Sequence, residues 1–386
     1  MSNEIAIILT LSAIIFISPL ISKISKIPTI PIEITLGSIA LALGFIHHDH
    51  TFTLVAELGF LYLMFLAGLE VNLRQVLNLP KTMIQKGLIY VSLLYIITLI
   101  FTYYFELSSI FVVTMPLISI GLLATLKKDY GETSWINMAI TIGIIGEIVS
   151  IVILTVLSAK LEYGLGAEFY ETLLLLLLVF VGVYLIYKVM HNLIWWYPGI
   201  KTYLMPKYDK YEQDIRLSMA IFFVFISIML YLNLEVALGA FVAGVFINTF
   251  FQHNTKLPHK LEHMGFGWLL PIFFIWVGTT FELSALLKPS LVTTALLITL
   301  AMIVLRVVSS MLFIKDLQLK GVILFALSHS MPLTLIVAVA TLALNANSIT
   351  NFYYYVFILS AILEVIVSMV LIKIINLISP SKVINK

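Results

Sequence analysis

Gly143-Ile144-Ile145-Gly146-Glu147-Ile148-Val149-Ser150 places one carboxylate inside an apolar run that extends over about 134–159. At 1.5 Å per residue, Glu147 lies roughly 20 Å from the start of that run, near the middle of a bilayer if the run spans it. A charge at that depth costs a few kcal/mol or more, so an acid there predicts a functional site. The alternative is a protonated glutamic acid that hydrogen-bonds between helices.

The composition around this stretch is that of a polytopic, all-α membrane protein. Hydrophobic residues make up 61% of the 386 residues, charged residues make up 11%, and mean hydropathy is +1.09. The absence of Cys excludes disulfides, thiolate metal sites and cysteine nucleophiles. No HExxH, GxSxG or Asp-rich diphosphate motif is present, so we expect neither an enzyme nor a cofactor. With a net charge of +2, no nucleic-acid partner is expected.

The apolar spans number thirteen, and the basic residues flank them unevenly. Loops after odd-numbered spans, with the C-terminal tail, hold 19 of the 22 Lys and Arg residues. The opposite side holds Lys160 and Lys288, and Arg306 lies inside a span. Because loops rich in Lys and Arg stay in the cytoplasm, we expect the N-terminus outside and the C-terminus inside. The spans run over approximately 4–22, 29–46, 52–73, 83–105, 108–127, 134–159, 169–190, 214–232, 234–251, 264–282, 290–313, 319–344 and 352–377.

The two halves of the chain carry an internal repeat. Thr114-Met115-Pro116-Leu117 in span 5 matches Ser330-Met331-Pro332-Leu333 in span 12. Pro116 precedes Glu147 by 31 residues, and Pro332 precedes Glu364 by 32. Because the matching spans are seven apart, an odd number, the copies have opposite orientations in the membrane. Inverted repeats of this kind are typical of secondary transporters.

Each repeated proline predicts a broken helix. Proline removes one backbone donor and clashes with the carbonyl one turn earlier. Beside Thr114, Ser119, Ser328 and Ser330, such a break leaves carbonyls and hydroxyls free at membrane depth. Two crossing breaks bring half-helix ends together, and those ends bind ions. The alternative is a pair of ordinary proline kinks, which membrane helices tolerate.

The whole chain resembles the second monovalent cation:proton antiporter family, which includes Kef-type and NapA-type antiporters. The resemblance rests on the acid of span 6, the basic residue of span 11 and three short motifs. The motifs are Phe65-Leu66-Ala67-Gly68-Leu69-Glu70, Leu238-Gly239-Ala240-Phe241-Val242-Ala243-Gly244 and Phe273-Phe274-Ile275-Trp276-Val277-Gly278. The resemblance implies a NapA-like fold of about 13 transmembrane helices and a homodimer in the bacterial or archaeal plasma membrane.

The resemblance also divides residues 1–386, a single transmembrane domain, into working parts. Residues 1–82 and 214–289 would form a dimerising scaffold. Residues 83–160 and 290–377 would form the moving core that translocates the ion. Residues 161–213 would be a linker helix followed by a cytoplasmic interfacial loop. Kef-type proteins usually add a soluble nucleotide-binding domain, and we expect no soluble regulatory domain in this chain.

Glu147 matches the essential acid of the family, and Gly146 stands where the family has Asp, Asn or Gln. Gly146 is expected at the cation site, where it leaves room for an ion or another helix to approach the backbone and removes a polar ligand. The family's Asp pair is associated with electrogenic exchange. One acid carries either one cation or one proton, so this chain is expected to be electroneutral. Arg306 matches the family's basic residue of span 11. Its guanidinium stays charged and needs a partner in the membrane, for which Glu147, Glu364 and Glu70 are the candidates.

We therefore expect cation:proton antiport of Na⁺ or K⁺, serving pH homeostasis by elevator-type alternating access. Ionised Glu147 would bind the cation, with Thr114, Ser119 and carbonyls freed around Pro116 as further oxygen ligands. His329, beside the second break, is a candidate to line the ion path. The alternatives are a K⁺ channel or uniporter on the same fold, and a non-transporting relative, which Gly146 suggests.

Overall fold

The computed structural model describes residues 3–25, 28–47, 49–71, 79–120, 122–197, 199, 211–251, 254, 256–281 and 283–378. Throughout these residues the chain forms helices and turns and no β-strand, which confirms the predicted all-α class. Most of the predicted interfacial loop lies outside the described residues. The α-helices are α1 Asn3–Ser25, α2 Thr29–Ala42, α3 His50–Glu70, α4 Lys81–Tyr104, α5 Ile110–Thr114, α6 Leu123–Tyr130, α7 Ser134–Tyr163, α8 Ala167–Trp196, α9 Gln213–Tyr231, α10 Val236–Phe250, α11 Leu257–Met264, α12 Leu270–Thr279, α13 Pro289–Ser310, α14 Ile314–His329, α15 Leu333–Asn345 and α16 Asn351–Ile378.

Nine of the helical segments in the described ranges are long and apolar enough to cross a membrane. Shorter apolar helices lie at 29–42, 236–250 and 333–344. The number of crossings, thirteen, stays a prediction, as does the orientation of the termini. The class of the fold, a polytopic helical membrane protein, is confirmed.

Both proline motifs interrupt a helix, as the sequence predicted. In the first, α5 ends at Thr114, residues 115–120 are not helical, and α6 begins at Leu123. In the second, α14 ends at His329 and α15 begins at Leu333, directly after Pro332. The half-helices α5 and α15 pack against each other, so the two broken segments meet.

The chain divides into two compact units. The first comprises Met1–Leu77 and Ser158–Glu282, and the second comprises Asn78–Leu157 and Leu283–Lys386. Both helix breaks and Glu147 belong to the second unit. The segment 161–213, predicted as a linker, is grouped with the first unit. The roles of scaffold and core stay predictions.

The long helix α7 has well-defined ends. Thr133 precedes its first turn, and the Thr133 hydroxyl oxygen accepts a hydrogen bond from Ile136 N at 3.4 Å. At the other end Gly164 has φ +66°, and its N–H donates to Lys160 O at 3.0 Å. Such a left-handed glycine is a common helix terminator because it has no Cβ to clash. Between these ends, α7 presents Glu147 from an unbroken helix.

In the first unit, two helix pairs cross at glycines. Gly68 of α3 lies against the backbone carbonyl of Phe241 in α10, and Gly244 of α10 lies against that of Phe65. The crossing of α2 with α12 has the same pattern, with Gly37 facing Ile275 O and Gly278 facing Ile34 O. Small residues permit such close backbone approach in membrane helices. The sequence motifs around these glycines thus specify packing.

We expect Gly68→Ala to reduce the yield of folded protein and to lower its apparent unfolding temperature. The new Cβ would overlap the Phe241 carbonyl oxygen, and a backbone atom cannot rotate away. Overpacking of this kind costs about 1–3 kcal/mol. Gly182→Ala in α8 is the matched control, because no described atom beyond its own stretch of helix lies within 4 Å of its Cβ position. Size-exclusion profiles and thermal unfolding in detergent measure both. Equal behaviour of the two variants would contradict the packing argument.

Candidate ion-binding site

The carboxylate of Glu147 meets the first helix break. Glu147 is 1% exposed. Its Oε1 accepts a hydrogen bond from the Ser119 hydroxyl at 3.3 Å, and its Oε2 accepts one from Ile120 N at 3.3 Å. Both donors belong to the non-helical stretch after Pro116, where backbone groups have no partner within a helix. The break therefore directs two donors at the acid that the sequence singled out.

A second side chain of α7, that of Ser150, also forms a hydrogen bond with the first break. The Ser150 hydroxyl oxygen accepts a hydrogen bond from Ile118 N at 3.0 Å. Ser150 and Glu147 are three residues apart and so share one face of α7. Sequence reasoning did not assign Ser150 a role, although its spacing from Glu147 was a signal. Together the two residues satisfy alternate backbone donors of the break.

Two glycines of α7 near Glu147, Gly143 and Gly146, pack against the non-helical residues of the first break. A Cβ on Gly146 would approach the Ile118 side chain to 2.6 Å, and one on Gly143 would approach Ile120 Cγ2 to 2.6 Å. The sequence suggested that Gly146 adjoins the ion and lacks a polar ligand. The structure gives Gly146 a packing role, because Ile118 occupies the space beside it.

Arg306 pairs with Glu364 of α16. The guanidinium Nη1 lies 2.6 Å from Glu364 Oε1, and both side chains are 0% exposed. Nη2 donates to Leu117 O in the first break at 2.7 Å, and Nη1 also donates to Met302 O at 3.2 Å. Of the three candidate partners, Glu364 is thus the one in contact. Glu70 belongs to the first unit, where Glu262 is its charged neighbour.

The second break is held in a similar way. The Ser368 hydroxyl donates to Ser330 O at 3.2 Å. At the first break, the Ser150 hydroxyl oxygen instead accepts a hydrogen bond from Ile118 N. The Ser330 hydroxyl donates to Ala326 O at 3.0 Å, within its own helix end. A serine one turn after the glutamate, in α7 and again in α16, therefore contacts the break of its own repeat.

The other predicted site residues also make hydrogen bonds within the second unit. The Thr114 hydroxyl is buried and donates to Ile110 O at 2.8 Å, which leaves its oxygen lone pairs for other contacts. His329 contacts Ala139 and Tyr90. Ser119 is the predicted hydroxyl that reaches Glu147 directly. One carboxylate with neutral oxygens around it is the donor set that a hard monovalent cation prefers.

Known proteins resemble this chain over most of its length. The family described as sodium/hydrogen exchanger, transmembrane, matches residues 11–375. The chain is 25% identical to the putative Na⁺/H⁺ antiporter YjbQ of Bacillus subtilis, over 90% of this chain and 59% of that protein. It is 26% identical to the probable Na⁺/H⁺ antiporter 3 of Methanocaldococcus jannaschii, over 78% of each. The chain therefore spans about three fifths of the length of the Bacillus relative.

A solved structure has the same fold. The sodium proton antiporter MjNhaP1 from Methanocaldococcus jannaschii, at pH 8, aligns with a TM-score of 0.63 over 96% of each chain. Sequence identity over that alignment is 17%, so the likeness concerns the fold. A monovalent cation:proton antiporter family is thereby confirmed. The Kef or NapA subtype stays a prediction.

Proposed function

Because this chain belongs to the sodium/hydrogen exchanger transmembrane family, we propose that it exchanges a monovalent cation, Na⁺ or K⁺, for H⁺ across the membrane. The observation that carries the proposal is the buried Glu147 carboxylate, held by Ser119 and Ile120 of a broken helix. The similar proteins of Bacillus subtilis and Methanocaldococcus jannaschii are both named as Na⁺/H⁺ antiporters, which supports Na⁺ as the first cation to test. K⁺ remains the second.

Glu147 is the shared site, in which the cation and the proton exclude each other. Hydrogen bonds from Ser119 and Ile120 favour the ionised carboxylate, and burial disfavours it. The ionised form attracts a cation, while protonation removes that attraction. Ser119, with Thr114 and carbonyls of the break, supplies further oxygens to the cation. Competition for one carboxylate couples the two fluxes and distinguishes an exchanger from a leak.

The charges of the second unit support electroneutral exchange. Its buried charged side chains in the described ranges are Glu147, Arg306 and Glu364. Arg306 and Glu364 neutralise each other at 2.6 Å. With either Na⁺ or H⁺ on Glu147, the buried site has no net charge. The unloaded carboxylate is too costly to carry through the bilayer, so transport requires a bound ion.

In the elevator-type mechanism that we propose, the second unit carries the loaded site between the two sides of the membrane. Both breaks, Glu147 and the Arg306–Glu364 pair lie in that unit, so the ion site can move intact. The first unit would serve as the scaffold and the homodimer interface. We place the protein in the bacterial or archaeal plasma membrane with its C-terminus in the cytoplasm, since the basic loops favour that orientation.

The proposal is tested in proteoliposomes with an imposed pH gradient and a pH-sensitive dye inside. We expect NaCl or KCl to dissipate the gradient, while choline chloride does not. If KCl alone gives no response, valinomycin with equal K⁺ on both sides clamps the membrane potential in a Na⁺ assay. The initial rate should then not change, because the exchange is electroneutral. Na⁺ flux without proton movement would indicate a channel or uniporter. No response to Na⁺, K⁺ or Li⁺ from folded protein would indicate a non-transporting relative.

A further inference from the structure

His329 is buried at the meeting point of three helices of the second unit. It is the last residue of α14 and is 0% exposed. Its Nε2 lies 2.9 Å from Ala139 O in α7, and its Nδ1 lies 3.3 Å from the Tyr90 hydroxyl in α4. Phe325 packs edge-on against the imidazole, with ring centroids 4.4 Å apart. Packing and hydrogen bonds therefore lock the ring in one orientation.

The partners of the ring define its tautomer. A backbone carbonyl only accepts hydrogen bonds, so Nε2 must carry a proton to bond to Ala139 O. Nδ1 is then the acceptor in the neutral imidazole and faces the Tyr90 hydroxyl, which donates. Both ring nitrogens are engaged, and no lone pair is left for a cation. The imidazole thus acts as a spacer that bridges the end of α14 to α7 and α4.

His329 packs against the same part of α7 as the first helix break. A Cβ on Gly143 would come within 3.1 Å of His329 Nε2 and within 2.6 Å of Ile120 Cγ2. His329 and Ile120 therefore flank the same glycine. Ile120 N in turn donates to Glu147 Oε2, one turn further along α7. The second break is thus linked to the carboxylate through His329, Gly143 and Ile120.

We propose that His329 is a positioning residue of the ion site: its ring holds the second break against α7 and sets the approach of Ile120 and Ser119 to Glu147. The inference rests on the proposed exchange, since it assigns His329 a part in the affinity of that site. The expectation that His329 lines the ion path stays a prediction. Without the ring, Ile120 would be held less firmly against Gly143. The Glu147 carboxylate would then lose the Ile120 N–H donor from its required position.

Three variants test this role. His329→Leu removes both hydrogen bonds but keeps an apolar side chain. His329→Gln keeps an N–H donor for Ala139 O, and Tyr90→Phe removes only the hydroxyl that faces Nδ1. Two readouts are needed. One is the cation concentration for half-maximal exchange together with the maximal rate. The other is the cation concentration for half-maximal thermal stabilisation of the purified protein in detergent, with choline chloride as the reference salt.

We expect His329→Leu to raise both half-saturating cation concentrations about 10-fold, the effect typical of residues that orient a ligand to a metal. His329→Gln should recover most of that loss, and Tyr90→Phe should shift both values in the same direction by less. The maximal rate at saturating cation should stay near that of the wild type. A residue that only stabilises the fold would lower the yield and the maximal rate without changing the cation concentrations.

Other outcomes overturn the proposal. Unchanged half-saturating concentrations in folded His329→Leu or Tyr90→Phe would exclude a positioning role. Loss of affinity in both His329 variants, with Tyr90→Phe binding as tightly as the wild type, would make His329 a direct ligand. If His329→Leu does not fold, Tyr90→Phe decides alone. Wild-type protein that is stabilised by Na⁺ but moves no protons would refute the exchange, and the binding data would still decide the role of His329.

Discussion

Glu147→Gln is expected to abolish cation:proton exchange while the protein still folds. The carboxylate is the charged ligand of the cation and the carrier of the proton, and an amide does neither. Losing a charge-assisted contact costs about 3 kcal/mol, which corresponds to roughly a 100-fold loss of cation affinity. The fold should persist, because the Gln carbonyl can accept from Ile120 N while its amide donates to the Ser119 hydroxyl. Dye response in proteoliposomes measures the loss.

A matched control is available in the first unit. Glu33 of α2 is also a buried membrane carboxyl, 4% exposed, and its Oε1 accepts from the Ser18 hydroxyl at 3.1 Å. Glu33→Gln removes a buried acid without touching the proposed site, so exchange should persist. Glu147→Asp keeps the charge but withdraws it from Ser119 and should retain weakened exchange. Full exchange by folded Glu147→Gln would refute the shared-carboxylate mechanism.

Arg306→Leu is expected to be the most destabilising single substitution in the second unit. It leaves Glu364 buried without its cation and Leu117 O without its donor. Breaking a buried ion pair by removing one partner costs about 3–5 kcal/mol, because the remaining charge is uncompensated. Arg306→Lys keeps the charge but lacks the planar fork that reaches Glu364 and Leu117 together, so its stability should be intermediate. Thermal unfolding in detergent ranks these variants.

The double variant Arg306→Leu/Glu364→Leu separates pairing from general damage. Removing both charges together avoids the uncompensated one, so the double variant should unfold at a higher temperature than Arg306→Leu. Glu364→Leu alone should also be less stable than the double variant, since it strands a guanidinium. Strictly additive losses would mean that Arg306 and Glu364 do not stabilise each other. Exchange should be impaired in the two variants that lack Arg306, because Leu117 O loses its donor at the break.

Several features of the site were predictable because they depend on local chemistry. The positions of Pro116 and Pro332 predicted both helix breaks, since proline lacks an N–H wherever it occurs. The depth of Glu147 in an apolar run marked it as a candidate, and the structure buries it at the first break. Ser119 was named for its place near Pro116, and it contacts Glu147.

Other features could not be derived without the packing. The sequence offered Arg306 three acids, and the contact of α13 with α16 selects Glu364. Gly146 suggested a missing ligand, and only the structure shows that the Ile118 side chain occupies the space beside it. His329 was a candidate to line the ion path, and only the packing shows that its two ring nitrogens face Tyr90 and Ala139.

The sequence by itself determined the all-α membrane class, the breaks and the central acid. Transfer of a residue to lipid, and the need to satisfy backbone groups within each segment, are properties of short stretches of chain. The tertiary structure alone decided which groups meet: Ile120 N with Glu147, Arg306 with Glu364, and His329 with Ala139. These pairs join residues far apart in the chain, and their contacts depend on which helix faces pack, a choice that no local pattern specifies.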